Sequence, residues 1–483
     1  MKRILLIILF IGALVSCKNE PKEEQQVAET AKDSLAPVSE EMMETAIIYE
    51  ANIRQYSPEG TFDAFTKDIP QLKDLGVKII WLMPIHPISM TNRKARGDLD
   101  VEDIEDPEER KKYLGSYYSI SDYTAVNEEH GNMKDFDELV ETAHENGMYV
   151  ILDWVANHTG WDHQWLKDHP DWYTQNEKGE PIDPINPATG ESWGWTDVAD
   201  LNFDNQEMRK QMIQDIIFWV KEHDVDGFRA DAAHSVPTEF WETAADSLDN
   251  YKPLFMLAEA ESPKDLFHNA FDMGYNWEGH HLMNEIAQGK KNARDWDNYM
   301  KKIDTIFQDD DFLMNFITNH DENSWAGTVK ERMGEASEAM LALSYTIPGM
   351  PLIYSGQEYD MDKRLRFFEK DTIQKEKGRV YPLLEKLGEL KTSNKALHGG
   401  KDAASYEAVV NSQETQVLSF KREKNGEQLY YVANMTGEPV SFTMELEGEF
   451  QDYMNDGSLS IAADQQLEFA PWEYKILLAA GAE

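Results

Sequence analysis

The sequence predicts an α/β protein: a (β/α)8 TIM barrel with a small inserted subdomain after the third strand and an all-β C-terminal domain. Three observations lead there. Eight apolar runs of strand length recur between residues 46 and 356, most of them followed by helical pattern. Repeated βα units with apolar strands bury a parallel sheet under helices, and eight such units close a barrel. After about Leu397 the pattern changes to short strand-like runs, and 483 residues leave room for a barrel of about 250 residues plus further domains.

In chain order, AIIYEANI (46–53) reads as the first strand and FDAFTKDIPQLKDLG as a helix ending at Gly76. VKIIWLM (77–83) is the second strand. A long connection, 85–132, carries the charged run DLDVEDIEDPEERKK (98–112). MKDFDELVETAHENG (133–147) is a helix and MYVILDW (148–154) the third strand. The next connection is rich in Trp, Pro, Asp and Asn, and predicts a subdomain at about 159–203. The helix NQEMRKQMIQDIIFWVKEH (205–223) leads to VDGFRAD (225–231). LFMLAEA (254–260), the shorter AFDM at 270–273, FLMNFIT (312–318) and MPLIYSG (350–356) complete the barrel, assigned to 45–396. LSFKRE, QLYYVANM, SFTMEL and YKILLA assign 397–483 to a C-terminal β-sandwich. No internal repeat is visible.

The net charge is −44, which argues against nucleic acid or an anionic membrane surface as partner. It suits a neutral or cationic ligand, or simply solubility. Cys17 is the single cysteine, so no internal disulfide and no multi-cysteine metal site forms. Lys2 and Arg3 precede the apolar run Ile4–Val15, and Leu14-Val15-Ser16-Cys17 resembles a lipobox. Residues 1–17 are therefore expected to be a lipoprotein signal peptide, with Cys17 lipidated. Residues 18–44 are expected to be an acidic disordered tether. The expectation is an exported protein, lipid-anchored to a bacterial membrane. The outer membrane is favoured, with the periplasmic or surface face left open.

Active sites of such barrels lie at the C-terminal ends of the strands. Polar residues gather there: Asp153, Asn157 and His158 after the third strand, Arg229 and Asp231 at the fourth, Glu259 at the fifth, His320 and Asp321 at the seventh. Any one of these acids could be a helix cap, and any one histidine a structural residue. Coincidence at four strands points to function. Alternation puts Arg229 and Asp231 on one face, and a guanidinium so placed favours the charged carboxylate. By the same rule Glu259 and Glu261 share a face, and the pattern alone does not choose between them.

These residues resemble the α-amylase family of glycoside hydrolases. DWVANH (153–158), GFRAD (227–231), AEA (258–260) and TNHD (318–321) match its signature regions in order. PIHPIS (84–89), GSYYSISDY (115–123), DLN (200–202) and PLIYSGQE (351–358) look familial too. The resemblance implies Asp231 as nucleophile, Glu259 rather than Glu261 as acid/base, and Asp321 as the third acid. It implies that Arg229 orients Asp231, that Asp153, His158 and His320 hydrogen-bond the sugar at the cleavage point, and that Tyr118 stacks on it. A retaining enzyme needs one ionised carboxylate and one protonated carboxyl about 5–5.5 Å apart. Apolar or anionic surroundings are expected to keep Glu259 protonated.

Asn157 and Asp200 match two of the family's calcium ligands, so calcium is the cofactor to which the resemblance points. The plain alternative is that Asn157 only holds its loop. No organic cofactor is implied. Many relatives carry Lys-His where this chain has His234 and Ser235, and RQYSPEG after the first strand lacks an Asp/Asn-rich calcium loop. Trp161, Trp165, Trp172, Trp193 and Trp195 crowd the insert, where core packing competes with sugar stacking. The resemblance implies hydrolysis of α-1,4-glucosidic bonds in starch-like glucans or maltooligosaccharides, as in starch degradation. The alternatives are an exo-acting α-glucosidase or transglycosylase of the same fold, and a non-catalytic glucan-binding lipoprotein.

Overall fold

Each apolar run shortens to the few residues that pair, and the paired strands close on themselves. The computed structural model describes residues 35–479, apart from 97–98, 187–188, 261–265 and 268. Cys17 and Glu261 lie outside the described residues. The barrel strands are β1 (Ile48–Ala51), β2 (Ile79–Leu82), β3 (Tyr149–Trp154), β4 (Gly227–Ala230), β5 (Phe255–Ala258), β6 (Met273–Tyr275), β7 (Phe312–Asn315) and β8 (Met350–Tyr354). Each pairs in parallel with the next, and β8 pairs with β1. At β4, Gly227 lets β5 approach closely: a Cβ there would lie 1.9 Å from the Phe255 carbonyl oxygen.

Three expectations change. The sixth strand begins at Met273, where the run AFDM ends. Its sequence is Met-Gly-Tyr, and Gly274 hides the strand signature because Phe267 occupies the space of a Cβ. The helix expected to end at Gly76 is split into Phe62–Thr66, Ile69–Leu72 and a 3-10 turn Lys73–Leu75. Pro70 has no N–H to continue the first piece; Gly76 does close the last turn, at φ 74°. The tether expected to reach residue 44 ends earlier. Residues 40–45 form a helix, Val38 and Met43 join the apolar cluster inside the barrel, and the Glu44 carboxylate accepts from the Gly400 and Asp402 N–H groups.

Alternation decides what fills the barrel. Ile48, Ile79, Tyr149, Ile151, Phe255 and Met273 point inward and form the apolar layers. Two residues beyond Ile48, Ile79, Ile151 and Met273 stand Glu50, Trp81, Asp153 and Tyr275, and on β4 Arg229 stands two beyond Gly227. They make a buried polar layer beneath the C-terminal mouth. Helices such as Met133–Glu145 and Gln206–His223 cover the outside, each started by an Asn side chain, Asn132 or Asn205.

In the insert, His158–Gly160 pairs with Val198–Asp200. The charged run forms a small apolar knot of its own around Ala95, Val101, Ile104 and Tyr113. The C-terminal part is the expected all-β unit. A six-stranded antiparallel sheet spans Ser405–Ala479, and a two-stranded sheet, Val440–Phe442 with Leu467–Phe469, packs against it. Buried Arg422 fastens that unit to the barrel, donating to the Thr346 and His398 carbonyl oxygens at 2.8 Å each. Among the described residues no helix is long and apolar enough to cross a membrane.

Candidate active site

Arg229 is the hub of the mouth. Its side chain is fully buried, and Nη1 donates to Asp153 Oδ1 and Asp231 Oδ1, both at 2.8 Å. Nε donates to the Tyr275 hydroxyl at 3.0 Å, and the guanidinium lies 5.1 Å from the Trp81 ring centre. Nη2 is 2.9 Å from Glu259 Oε2, an ion pair not aligned as a hydrogen bond.

Asp231 and Glu259 follow neighbouring strands. Ala230 and Ala258 are in register, and the Glu259 N–H donates to the Ala230 carbonyl at 3.0 Å. Strands so paired are about 4.8 Å apart. Nη1 and Nη2 of one guanidinium reach the two carboxyl groups, so both stand at the same end of the cleft. Ala232 adopts φ 43°, a region a residue with a Cβ seldom enters, and this turn aims its N–H at Glu259 Oε2, 2.7 Å away.

Two electrostatic expectations need correction. Burial raises the Asp231 carboxyl above its usual range, and Arg229 only partly offsets this, with Asp321 adding to the rise. Glu259 does not have the expected apolar or anionic surroundings. Its Oε2 faces the Arg229 guanidinium and the Ala232 N–H.

Opposite this pair, His320 Nδ1 is 2.5 Å from Glu50 Oε1, and Nε2 is 2.8 Å from the Tyr118 hydroxyl. Tyr118 in turn donates to Asp153 Oδ2 at 3.2 Å, where Trp81 Nε1 also donates. Burial disfavours the charged imidazole, but Asp321 and Glu50 outweigh it and raise His320 to about 9. Asp321 Oδ2 lies 3.4 Å from His320 Nε2, and its side chain is 37% exposed. Asp153 sits below the residues that line the cleft. It is 1% exposed, its oxygens are taken by Arg229, Trp81 and Tyr118, and it does not reach the cleft wall. Asp153 holds Arg229 and Tyr118 in place.

The cleft above these groups holds about 860 Å³. Asp231, Glu259, Asp321, His320, Tyr118 and His158 all line it. Burial pushes His158 down to about 4, so the ring is neutral, and its Nε2 has no protein partner. Two aromatic walls lead away from the acids. On one, Tyr118 stacks on Phe367 (6.3 Å, 9°), which meets Trp325 at 5.2 Å. On the other, His158 meets Trp195 at 5.9 Å, and Trp195 stacks on Trp193 (5.9 Å, 19°).

A model of the α-amylase catalytic domain matches residues 29–394. The chain belongs to the α-amylase family. It is 24% identical over 444 residues to the α-amylase MalA of Haloarcula japonica, a match covering 87% of this chain and 61% of that protein's length. It is 25% identical over 487 residues to α-amylase 3 of Dictyoglomus thermophilum, covering 86% and 90% of the two chains. Among solved structures, the maltogenic α-amylase AmyB of Thermotoga neapolitana is 28% identical with a TM-score of 0.79, covering 90% of this chain and 99% of that one.

Where many members of the α-amylase family carry Lys-His, both His234 and Ser235 line the cleft, and His234 Nδ1 is 3.4 Å from the Glu259 carbonyl oxygen. Asn157 and Asp200 come to the base of the insert, with Asp200 paired in register to His158. Their oxygens suit calcium in kind, and burial raises Asp200 to about 6, a carboxyl that a cation would favour as the anion. Among the described residues, however, no three His, Cys, Asp or Glu side chains gather around one point. Carbonyl oxygens and water would have to complete the shell.

Sequence reasoning missed Glu50, Trp81 and Tyr275, and the wall residues Trp325 and Phe367. Alternation within IIYEA held the signal for Glu50, because Ile48 and Glu50 share a face. Trp325 sits in a short π-helical turn, Glu322–Ala326, and Phe367 on a loop, and neither carried such a signal.

Proposed function

We propose that the protein is a retaining glycoside hydrolase that cleaves α-1,4-glucosidic bonds in starch-like glucans and maltooligosaccharides. The observation that carries this reading is the pair Asp231 and Glu259, on adjacent strands at the floor of one open cleft, bridged by Arg229. Asp231 attacks the anomeric carbon while Glu259 gives a proton to the departing glycosidic oxygen. The bond from carbon to that oxygen breaks, and an ester to Asp231 forms. Glu259 then takes a proton from water, water attacks the same carbon, and Asp231 leaves as carboxylate. Asp321 faces the sugar from the other side, where positive charge develops in the oxocarbenium-like transition state, and His320 beside it is placed to hydrogen-bond the ring. The aromatic walls support binding of several sugar rings, because the exposed faces of Trp193, Trp195 and Trp325 (46%, 40% and 55%) would otherwise meet only water.

Product analysis on starch, pullulan, maltooligosaccharides and isomaltose tests the linkage. Anomeric NMR of the first product from an α-1,4 substrate tests the mechanism. Retention of configuration is expected; inversion would remove the double displacement.

Two further proposals concern cofactor and location. Calcium bound by Asn157 and Asp200 would stabilise the folded state by mass action and steady the base of the insert. Chelation is then expected to lower Tm, and calcium to restore it; an unchanged melting curve with no metal by elemental analysis excludes the site. Lipidation of Cys17 would anchor an exported protein at a bacterial membrane, multiple acyl chains giving stable attachment. Mass spectrometry of the native N-terminus checks this, and a mature terminus elsewhere without lipid excludes it.

A further inference from the structure

The segment after β7 presents both Asp321 and Trp325 to the cleft. It does so through a π-helical turn, Glu322–Ala326, closed by the Gly327 N–H donating to the Glu322 carbonyl at 2.8 Å. Such turns, whose hydrogen bonds reach one residue further than in an α-helix, are rare and collect at functional sites. Glu322 follows Asp321 directly but points away from the cleft. Its Oε2 lies 3.0 Å from Nε2 of His280, a fully buried ring on the helix Trp277–Ala287, and a proton shared between the two makes this contact a bond. The same oxygen is 3.5 Å from Arg332 Nη1. Burial disfavours a charge here, but the bond to His280 and the nearby cations outweigh it and hold Glu322 below the usual carboxylate range.

Each of these partners is itself tied down. His280 Nδ1 donates to the Phe316 carbonyl at 3.0 Å, the ring stacks on Phe316 (4.5 Å, 12°), and Asn284 Nδ2 is 3.0 Å from Nε2. Arg332 Nη2 donates to the Ile317 carbonyl at 2.8 Å, Nε to the Gly327 carbonyl at 2.9 Å, and Nη1 to Asn284 Oδ1 at 2.8 Å. One guanidinium therefore grips both ends of segment 317–327, and Glu322 is the side chain through which the middle is held. A buried, paired charge adds little stability over apolar packing, so its value lies in fixing one arrangement. We propose that Glu322 is a positioning residue: through His280 and Arg332 it fixes the turn that holds Asp321 and Trp325 against the sugar. This role rests on the reading of Asp321 as the acid that faces the transition state.

Steady-state kinetics of the full chain on maltoheptaose, with Tm measured alongside, test this. At a temperature where the variant is folded, Glu322→Ala should lower kcat about ten- to a hundredfold, the scale of a misplacement of about 1 Å, and KM should change less than kcat. Glu322→Gln keeps the reach and offers His280 an N–H in place of the shared proton, so kcat should return close to its original value. A lower Tm with unchanged kcat for Glu322→Ala would mean that Glu322 only supports the fold, and overturns the positioning role. A change confined to KM, or an equal loss of kcat in both variants, overturns it too. If Glu322→Ala does not fold, His280→Phe, which keeps the stack on Phe316 and removes the bond to Glu322, is read the same way. Asp321→Asn separates the two readings. A large loss of kcat there with none in Glu322→Ala overturns only the role of Glu322, whereas an unchanged kcat there overturns the reading of Asp321 itself.

Discussion

His320 and Glu50 form a buried pair, Nδ1 to Oε1 at 2.5 Å, that ties the end of β7 to the first strand of the barrel. The other ring nitrogen reaches Tyr118 and Asp321. Two acids, Asp321 and Glu50, thus hold the charge on the imidazole that the cleft presents.

Its pH dependence follows. The folded-state value of about 9 is raised above the unfolded value of about 6.5. The resulting stabilisation is complete below the unfolded value and is lost as pH rises through the folded one. Glu50→Gln removes one of the two anions responsible. The fall of Tm between those limits should flatten, and the alkaline limb of kcat/KM should move to lower pH. Identical profiles for the two proteins would show that Glu50 does not control His320.

Arg229 should tolerate no replacement. Arg229→Met leaves Asp153 and Asp231 buried without their cation, at a cost of about 3–5 kcal/mol. Thermal denaturation should show this as a large fall in Tm. Arg229→Lys keeps the charge but loses the fork that reaches Asp153, Asp231, Glu259 and Tyr275 together. Its Tm should recover in part while activity stays low; full activity would deny the fork a role.

The two carboxyl groups should separate by leaving group. Asp231→Asn should abolish turnover of every glycoside. Glu259→Gln should lose about 10²–10⁴-fold on maltooligosaccharides and much less on a glycosyl fluoride, whose departure needs little proton transfer. Equal losses on both substrates would exclude Glu259 as the acid.

The aromatic walls predict a dependence on chain length. Trp193→Ala with Trp195→Ala should raise KM for maltoheptaose several-fold, each stack being worth about 0.5–1.5 kcal/mol. KM for the shortest cleavable substrate should stay near its original value, and Tm should hold because both rings are exposed. A uniform rise in KM, whatever the chain length, would mean that the pair supports the insert rather than the glucan.

Much of this site is legible in the sequence because barrel topology does the gathering. Asp231, Glu259 and Asp321 lie far apart in the chain, yet each closes an apolar run, and closure brings the ends together. Depth is harder to read. Asp153 follows YVIL as Asp231 follows GFRA, but it stops one layer lower, where Trp81 and Tyr118 close over it. Glu50 reads as an ordinary strand residue, and only its partner His320, beyond the end of β7, marks it out. Trp325 and Phe367 depend on how a short helical turn and a loop fold against each other, which no local pattern reports. Met273–Tyr275 hid because a glycine that makes room for Phe267 also erases the signature of a strand.

The bridge between Asp231 and Glu259 bears on the second half of the reaction. In the proposed double displacement, Asp231 held as an ester would have no charge to offer Arg229. The guanidinium's other terminal nitrogen still faces Glu259, which by then has given up its proton. On that mechanism the counter-charge for the newly formed base would be in place before water arrives.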